Sequence, residues 1–403
     1  MLDWFWDAPT AARRSLLAAW LGWGLDAFDV MLYALVLGAL IRDLSLSKAT
    51  AGLLGSLTLV ASGIGGVLFG LVADRYGRRP ALSGSLLVYS IFTFACGLSA
   101  AVWQLGLFRF LLGLGMGGAW TSGAALVSET WPDAHRAKAM GLMQSAWSIG
   151  YAAAAVVVAV ILPRFGWRAV FFIGILPALV TVWIERRVAE SAEWTRVRAA
   201  GSRSRSPLGA IFAPEHVRFT LLLTALSMTT IFAYWGLNLW IPAYLFLPPS
   251  QGGIGLSTVV ATSLVVLIQA GTFLGYVSFG FVADAFGRRR SFVVYLVTGA
   301  ALILGFGSTR SPWALALIGP VATFFSTGIF SGFGAVAAEL FPTAIRATAQ
   351  GFTFNMGRTI SAAAPFIVGS LAETRGFGSA FALLAVALLL GAATWIWLPE
   401  SKG

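Results

Sequence analysis

The chain has one cysteine, two histidines and three lysines among 403 residues, and only 11% of its residues are charged. Each scarcity removes a class of function. A single thiol, Cys96, set inside an apolar run, can build no disulfide framework and reads as packing. Both histidines, His135 and His216, fall in loops, so a histidine proton relay and a metal cluster lack support, and neither a metal nor a cofactor is expected. None of Lys48, Lys138 and Lys402 follows a glycine. A phosphate-binding P-loop is therefore missing, and with it transport driven by the chain's own ATP hydrolysis. There is no nucleophile-elbow serine and no carboxylate pair suited to hydrolysis, so an enzyme is not expected.

What the chain does have is apolar length. With 58% apolar residues it belongs in a bilayer. Helix-length apolar runs fall at about 15–41, 49–73, 81–99, 102–127, 138–162, 169–185, 217–246, 257–283, 291–308, 312–338, 345–371 and 378–398. The expected fold class is an all-α integral membrane protein with twelve transmembrane helices in two six-helix halves, residues 1–189 and 215–403. The polar stretch 190–214, rich in Arg, Ser and Gly, is the expected cytoplasmic linker. The first run exceeds a signal-peptide core and shows no cleavage site, so it reads as a retained helix.

The halves are copies. Gly70-Leu-Val-Ala-Asp74-Arg-Tyr-Gly77-Arg78-Arg79-Pro80 returns 210 positions later as Gly280-Phe-Val-Ala-Asp284-Ala-Phe-Gly287-Arg288-Arg289-Arg290, with seven of eleven positions identical. At the same offset, Glu129, Pro132, Ala134, Arg136, Ala137, Ala139 and Gly141 recur as Glu339, Pro342, Ala344, Arg346, Ala347, Ala349 and Gly351. Two segments sharing one offset indicate parallel duplication of a membrane half-domain.

Cations sort strongly by side. Nineteen of the 27 Lys and Arg residues fall with the N-terminus, the repeated loops and the linker, and six fall on the other face. The positive-inside rule then places both termini and the linker in the cytoplasm. The same rule accounts for the net charge of +11, so nucleic acid is not expected as a partner. The two remaining cations, Arg109 and Arg358, lie within spans. Gly66/Gly70, Gly113/Gly117, Gly271/Gly275 and Gly328/Gly332, each spaced by four, read as faces for close helix packing.

Of sixteen acids, only Asp26 and Asp29 fall near the middle of a span. A carboxylate is costly there, so such residues usually face a polar cavity and serve an ion or proton path. Three apart on one helix, they are close enough to share or exchange a proton; the alternative is a structural pair neutralised by an arginine. Arg109, from the same half, is the expected counter-ion. Arg358 has no buried acid in its own half, so either an anionic substrate or helix carbonyls would satisfy its fork. Asn355, Gln144, Trp147, Trp235, Asn238, Trp240, Tyr244 and Gln269 are further substrate-binding candidates, each with packing or interfacial anchoring as the alternative.

The doubled G-x-x-A-D-x-x-G-R-R pattern and the Arg109-x-x-x-Gly113-x-x-x-Gly117 run resemble the signature motifs of the major facilitator superfamily, and the resemblance covers the whole chain. More narrowly, Leu25-Asp26-Ala27-Phe28-Asp29, Glu129-Thr-Trp-Pro132, Gly166-Trp167-Arg168-Ala-Val-Phe-Phe172 and Phe172-Ile-Gly-Ile-Leu-Pro177 are similar to bacterial sialate and aromatic-acid proton symporters. Asn238-Leu-Trp240-Ile-Pro242-Ala-Tyr244 and Asn355-Met-Gly-Arg358 resemble that group more loosely. The resemblance implies that Asp26 or Asp29 couples a proton and that Arg109 partners it. It also implies a cytoplasmic gate of Asp74, Arg78, Arg79, Glu129, Arg136, Asp284, Arg288, Arg289, Glu339 and Arg346. Many relatives carry an acid on the fourth span where this chain has Ala119-Trp120. Coupling then rests on the first span alone, or is absent.

The expectation is a bacterial inner-membrane symporter that admits a small organic anion (a monocarboxylate, aromatic acid or sialic-acid-like metabolite) with a proton; twelve helices can form a complete carrier as a monomer, and the sequence leaves the oligomeric state open. The rival readings are a neutral sugar or polyol carrier, a drug:proton antiporter, and a receptor or scaffold derived from a carrier.

Overall fold

The structure, a computed structural model, describes residues 3–199 and 207–400. These residues are nearly all helical. A short α1 (Asp3–Trp6) precedes α2 (Thr10–Asp43), α3 (Lys48–Tyr76), α4 (Arg78–Gly97), α5 (Val102–Thr130), α6 (Asp133–Ile173), α7 (Pro177–Arg187) and α8 (Ala192–Ala199). Then follow α9 (Val217–Phe246), α10 (Thr258–Phe286), α11 (Arg288–Ser308), α12 (Pro312–Gly328), α13 (Phe333–Leu340), α14 (Thr343–Ser361), α15 (Ala364–Thr374) and α16 (Gly376–Thr394). In the stretch expected as a linker, the described residues form α8 and a 3-10 turn at Pro207–Phe212. Residues 200–206 lie outside the described residues, as do Lys402 and the side chains of Asp74, Arg136 and Arg346.

Ten described segments are long and apolar enough to cross a membrane by length and composition. One of them, Lys138–Arg187, runs for 50 residues, and at 1.5 Å per residue it would extend about 75 Å, more than twice a bilayer's hydrocarbon. It is two spans. Pro163 removes a helical hydrogen bond, and Gly166 turns the chain at φ 73°, ψ 177°, a conformation only glycine adopts readily. The eleventh expected run, 345–371, is shared between α14 and α15, which meet at Ala362-Ala363. α14 also carries Arg346, Gln350, Asn355 and Arg358, which lower its hydropathy. With those two regions accounted for, each of the twelve expected runs is helical.

The chain forms two compact units: Met1–Val36 with Leu57–Arg203, and Leu37–Ser56 with Ser204–Gly403. In the first, α4 lies against α5, α6 and α7, and Leu82, Leu86 and Tyr89 pack on Leu112, Ala119, Leu126 and Ile184. In the second, α10 packs on α12, and α9 lies between α14 and α16. Its core is aromatic: Phe279 meets Phe292 and Tyr295 edge-on, and Trp395 lies 4.7 Å from Phe292.

The small-residue faces do what their spacing suggests. A β-carbon on Gly117 would strike the Ser62 carbonyl and the Gly66 amide, and one on Gly113 would strike the Thr58 carbonyl. α5 therefore rests backbone to backbone on α3. Gly271 and Gly275 bring α10 onto the Pro320 and Phe324 carbonyls of α12 in the same way. Gly117→Val is expected to cost about 1–3 kcal/mol by overpacking, read as a lower melting temperature in detergent. Gly141→Ala, with open space around the added carbon, is the control and is expected to leave melting unchanged or slightly raised.

Candidate functional site

Asp26 and Asp29 sit on α2, each only 1% exposed. Three residues advance a helix by about 300°, so the two carboxylates stand about 60° apart. Their height is fixed by a backbone contact: a β-carbon on Gly150 would strike the Gly24 carbonyl, and one on Gly24 would lie 3.2 Å from the Ala146 carbonyl. α2 and α6 thus meet without side chains between them, two residues before Asp26.

Thr93, fully buried on α4, puts its hydroxyl 3.2 Å from Asp29 Oδ2 and 2.8 Å from the Tyr89 carbonyl. Its single proton can go to only one of these oxygens at a time. An ionised Asp29 can accept that proton, whereas a protonated Asp29 can donate to the Thr93 oxygen while the hydroxyl turns to the carbonyl. Asp29 therefore has a hydrogen bond in either state. Its Oδ1 has no hydrogen-bond partner among the described residues.

Arg109, 1% exposed, lies with its guanidinium carbon 3.6 Å from the Tyr33 ring centroid, and Tyr33 follows Asp29 by one turn of α2. An aromatic face is one of the few apolar surfaces that attracts a guanidinium. Trp147 packs at a tilt 4.5 Å from Trp23, which in turn lies 6.5 Å from Trp120. Trp23 is one turn before Asp26, so indoles cover that side of α2. Gln144 is half-buried a turn before Trp147.

In the second unit, Arg358 is 7% exposed on α14. α14 is pinned to α9 on either side of it: Gly357 packs against Ser227 and Met228, and the Ser361 hydroxyl lies 2.7 Å from the Met228 carbonyl. These backbone contacts set the height of the helix on which the arginine sits. Asn355 is exposed, its amide turned back to the Gly351 carbonyl at 2.9 Å.

The α9 candidates are buried, and three of them donate to backbone. Trp240 Nε1 donates to the Pro365 carbonyl at 2.9 Å, Tyr244 Oη to the Thr309 carbonyl at 3.1 Å, and Asn238 Nδ2 to the Tyr234 carbonyl at 3.1 Å. Trp240 and Tyr244 also converge on Phe377. Trp235 stands edge-on to Tyr234. Gln269 on α10 is 2% exposed, and both ends of its amide lack a hydrogen-bond partner among the described residues.

The repeated loops have nearly the same construction twice. After Gly77, at φ 118°, α4 starts with its amides aimed at Glu190: Arg78 N and Arg79 N lie 3.0 and 3.1 Å from its carboxylate. The Arg78 guanidinium grips Glu129 at 2.9 Å, and Arg79 Nε meets Glu185 at 3.2 Å. After Gly287, at φ 90°, α11 starts on Glu400, which accepts from Arg289 N at 3.2 Å. Arg288 reaches Asp284 at 2.7 Å and Glu339 at 3.4 Å. Sequence reasoning placed Arg78, Arg79, Glu129, Asp284, Arg288, Arg289 and Glu339 here but missed Glu185, Glu190 and Glu400. Glu190 and Glu400 obey the 210-residue offset and were legible by it; Glu185 has no counterpart.

The family description "Major Facilitator Superfamily" matches residues 19–278, and "Sugar (and other) transporter" matches residues 254–403. The chain belongs to the major facilitator superfamily. Its relatives in this superfamily include the sialic acid transporter NanX of Escherichia coli (strain K12), 30% identical, with 95% of this chain and 93% of the relative covered. The cis,cis-muconate transport protein of Acinetobacter baylyi is 32% identical, over 94% and 92%. A crystal structure of a D-xylose-proton symporter superposes with TM-score 0.75 at 20% identity, over 96% of this chain and 98% of that one, which speaks to the major facilitator fold alone. The protein is a membrane transport protein and not an enzyme.

A carboxylate on a helix N-terminus meets unpaired amides and the positive end of the helix dipole. Glu190→Gln is expected to cost about 1 kcal/mol by removing that charge, seen as a lower melting temperature. Unchanged melting would contradict the capping role.

Proposed function

We propose that the protein imports a small organic anion together with a proton by alternating access, from a bacterial inner membrane in which both termini are cytoplasmic. The observation that carries this reading is the placement of charge. Asp26 and Asp29 are buried on α2 of one unit, and Arg358 is buried on α14 of the other. A proton neutralises the carboxylate and an anion pairs with the Arg358 guanidinium, so each co-transported species meets a buried group of complementary charge. Thr93 supports the proton assignment, because it gives Asp29 a partner in both protonation states. Arg109, stacked on Tyr33, holds positive charge on the same helix face one turn away. The substrates named for two relatives, sialic acid and cis,cis-muconate, both carry carboxylates. The duplicated Arg78–Glu129 and Arg288–Glu339 contacts act as the cytoplasmic gate, holding the loops that follow α3 and α10 to their neighbours.

A second reading, a neutral sugar or polyol carrier, is favoured by the sugar-transporter match over residues 254–403 and by the apolar and amide character of Trp235, Asn238 and Gln269. In it both arginines are structural.

Adding monocarboxylates, aromatic acids, sialic acid, sugars and polyols in turn to energy-starved cells separates the two. The anion reading predicts that a subset of the acids alkalinises the medium and that sugars and polyols do not. Uptake of a labelled neutral solute with no pH change for any acid would overturn it. With a transported acid in hand, Arg358→Lys is expected to weaken apparent affinity by about tenfold, because a point charge replaces a two-pronged fork. An unchanged affinity would mark Arg358 as structural.

A further inference from the structure

The second unit contains a segment that the sequence assigns to the first half: Leu37–Ser56, made of the end of α2, a short turn and the start of α3. Lys48, the first residue of α3, sends its ammonium to the carbonyls of Gln251 at 2.7 Å and Ala372 at 3.3 Å. Ala372 lies in the last turn of α15, where carbonyls lack helical partners. Glu373, the next residue, accepts from the Ala49 amide at 3.0 Å, in the first turn of α3, where amides lack partners. Each helix end is thus capped by a charge from the other helix, and each charge has the sign its helix dipole favours.

Beneath this contact the two helices touch through backbone. A β-carbon on Gly52 would strike the Pro365 carbonyl, one on Gly369 the Lys48 carbonyl, and one on Gly55 the Leu239 side chain. The Phe366 amide donates to the Ser56 hydroxyl at 3.2 Å. A cavity of about 400 Å³, bordered by Arg42, Ser45, Ser47 and Gln251, flanks the charged contacts. Smooth glycine faces can part without unlocking side chains, and partly exposed charge contacts are individually weak. The joint is close-packed, and its charge contacts sit at its partly exposed end.

We propose that Lys48 and Glu373 are positioning residues of the transport cycle: a reciprocal clasp that holds the face away from the repeated loops closed and releases once per turnover. The inference rests on the alternating-access reading above, and its test separates the two. In a Cys96→Ala background, Ser56→Cys is exposed to an impermeant maleimide added outside cells. Ser56 lies eight residues past Lys48, about 12 Å along α3, so labelling there requires the joint to open. Lys48→Met and Glu373→Gln are each expected to raise the labelling rate roughly threefold. The exchange Lys48→Glu with Glu373→Lys is expected to raise it further, because each charge then faces the wrong helix end. A simple ion pair between these two side chains would instead be restored by the exchange. Unchanged labelling in both single variants, or restoration in the double variant, overturns the clasp. Thr374→Cys, exposed at the same end of α15, is expected to label equally in every background. Failure to label there overturns the orientation itself, and the clasp with it.

Discussion

A charge inside a bilayer must find a counter-charge, a proton or a polar cavity, and this requirement organises the protein. Most of its membrane surface obeys the requirement trivially, by having no charge at all. Asp26, Asp29, Arg109 and Arg358 are the exceptions, all buried, with Asp29 bonded to Thr93 and Arg109 stacked on Tyr33. Gly24 against Gly150 fixes α2 near Asp26, and Gly357 with Ser361 fixes α14 around Arg358. Rigid placement matters because a carrier must sense whether its charges are neutralised. A carboxylate that could swing to a convenient partner would report nothing.

Duplication supplied the frame, and divergence supplied the chemistry. The repeated loops remain recognisable copies, down to the positive-φ glycine, the arginine on the next residue and the glutamate that caps the following helix. The buried charges do not follow the offset. The acids belong to one copy, and Arg358 has no cationic counterpart 210 residues earlier, where Ser148 stands. Symmetry is kept in the repeated loops and lost at the buried charges, where the proposed proton and anion sites fall in different copies.

Much of this was legible in the sequence, because a membrane protein's strongest signals are local. Run length gave the spans, the spacing of Gly113 and Gly117 gave a packing face, and rarity alone singled out Asp26 and Asp29. Contacts between distant residues were harder to read. Glu190 reaches α4 from more than a hundred positions away, and only the repeat offset hints at it. Thr93 is one of many helical threonines, and only packing puts its hydroxyl beside Asp29. Residue type also says nothing about donor partners: Trp240 and Tyr244 read as site candidates, and their donors go to the Pro365 and Thr309 carbonyls, which leaves their ring faces for any contact with substrate. Lys48 looked like one of six ordinary cations on its face, since nothing local reveals the helix end it caps.

The most direct test of the account is to compare two modes of transport in proteoliposomes carrying Asp26→Asn or Asp29→Asn, using an acid the wild type carries. Substrate counterflow needs only the binding site and the alternation of access, whereas uphill accumulation driven by an imposed pH gradient also needs the proton. The account predicts that at least one of the two variants keeps counterflow and loses pH-driven accumulation. Accumulation at the wild-type level in both would contradict it and leave the buried aspartates without a part in coupling.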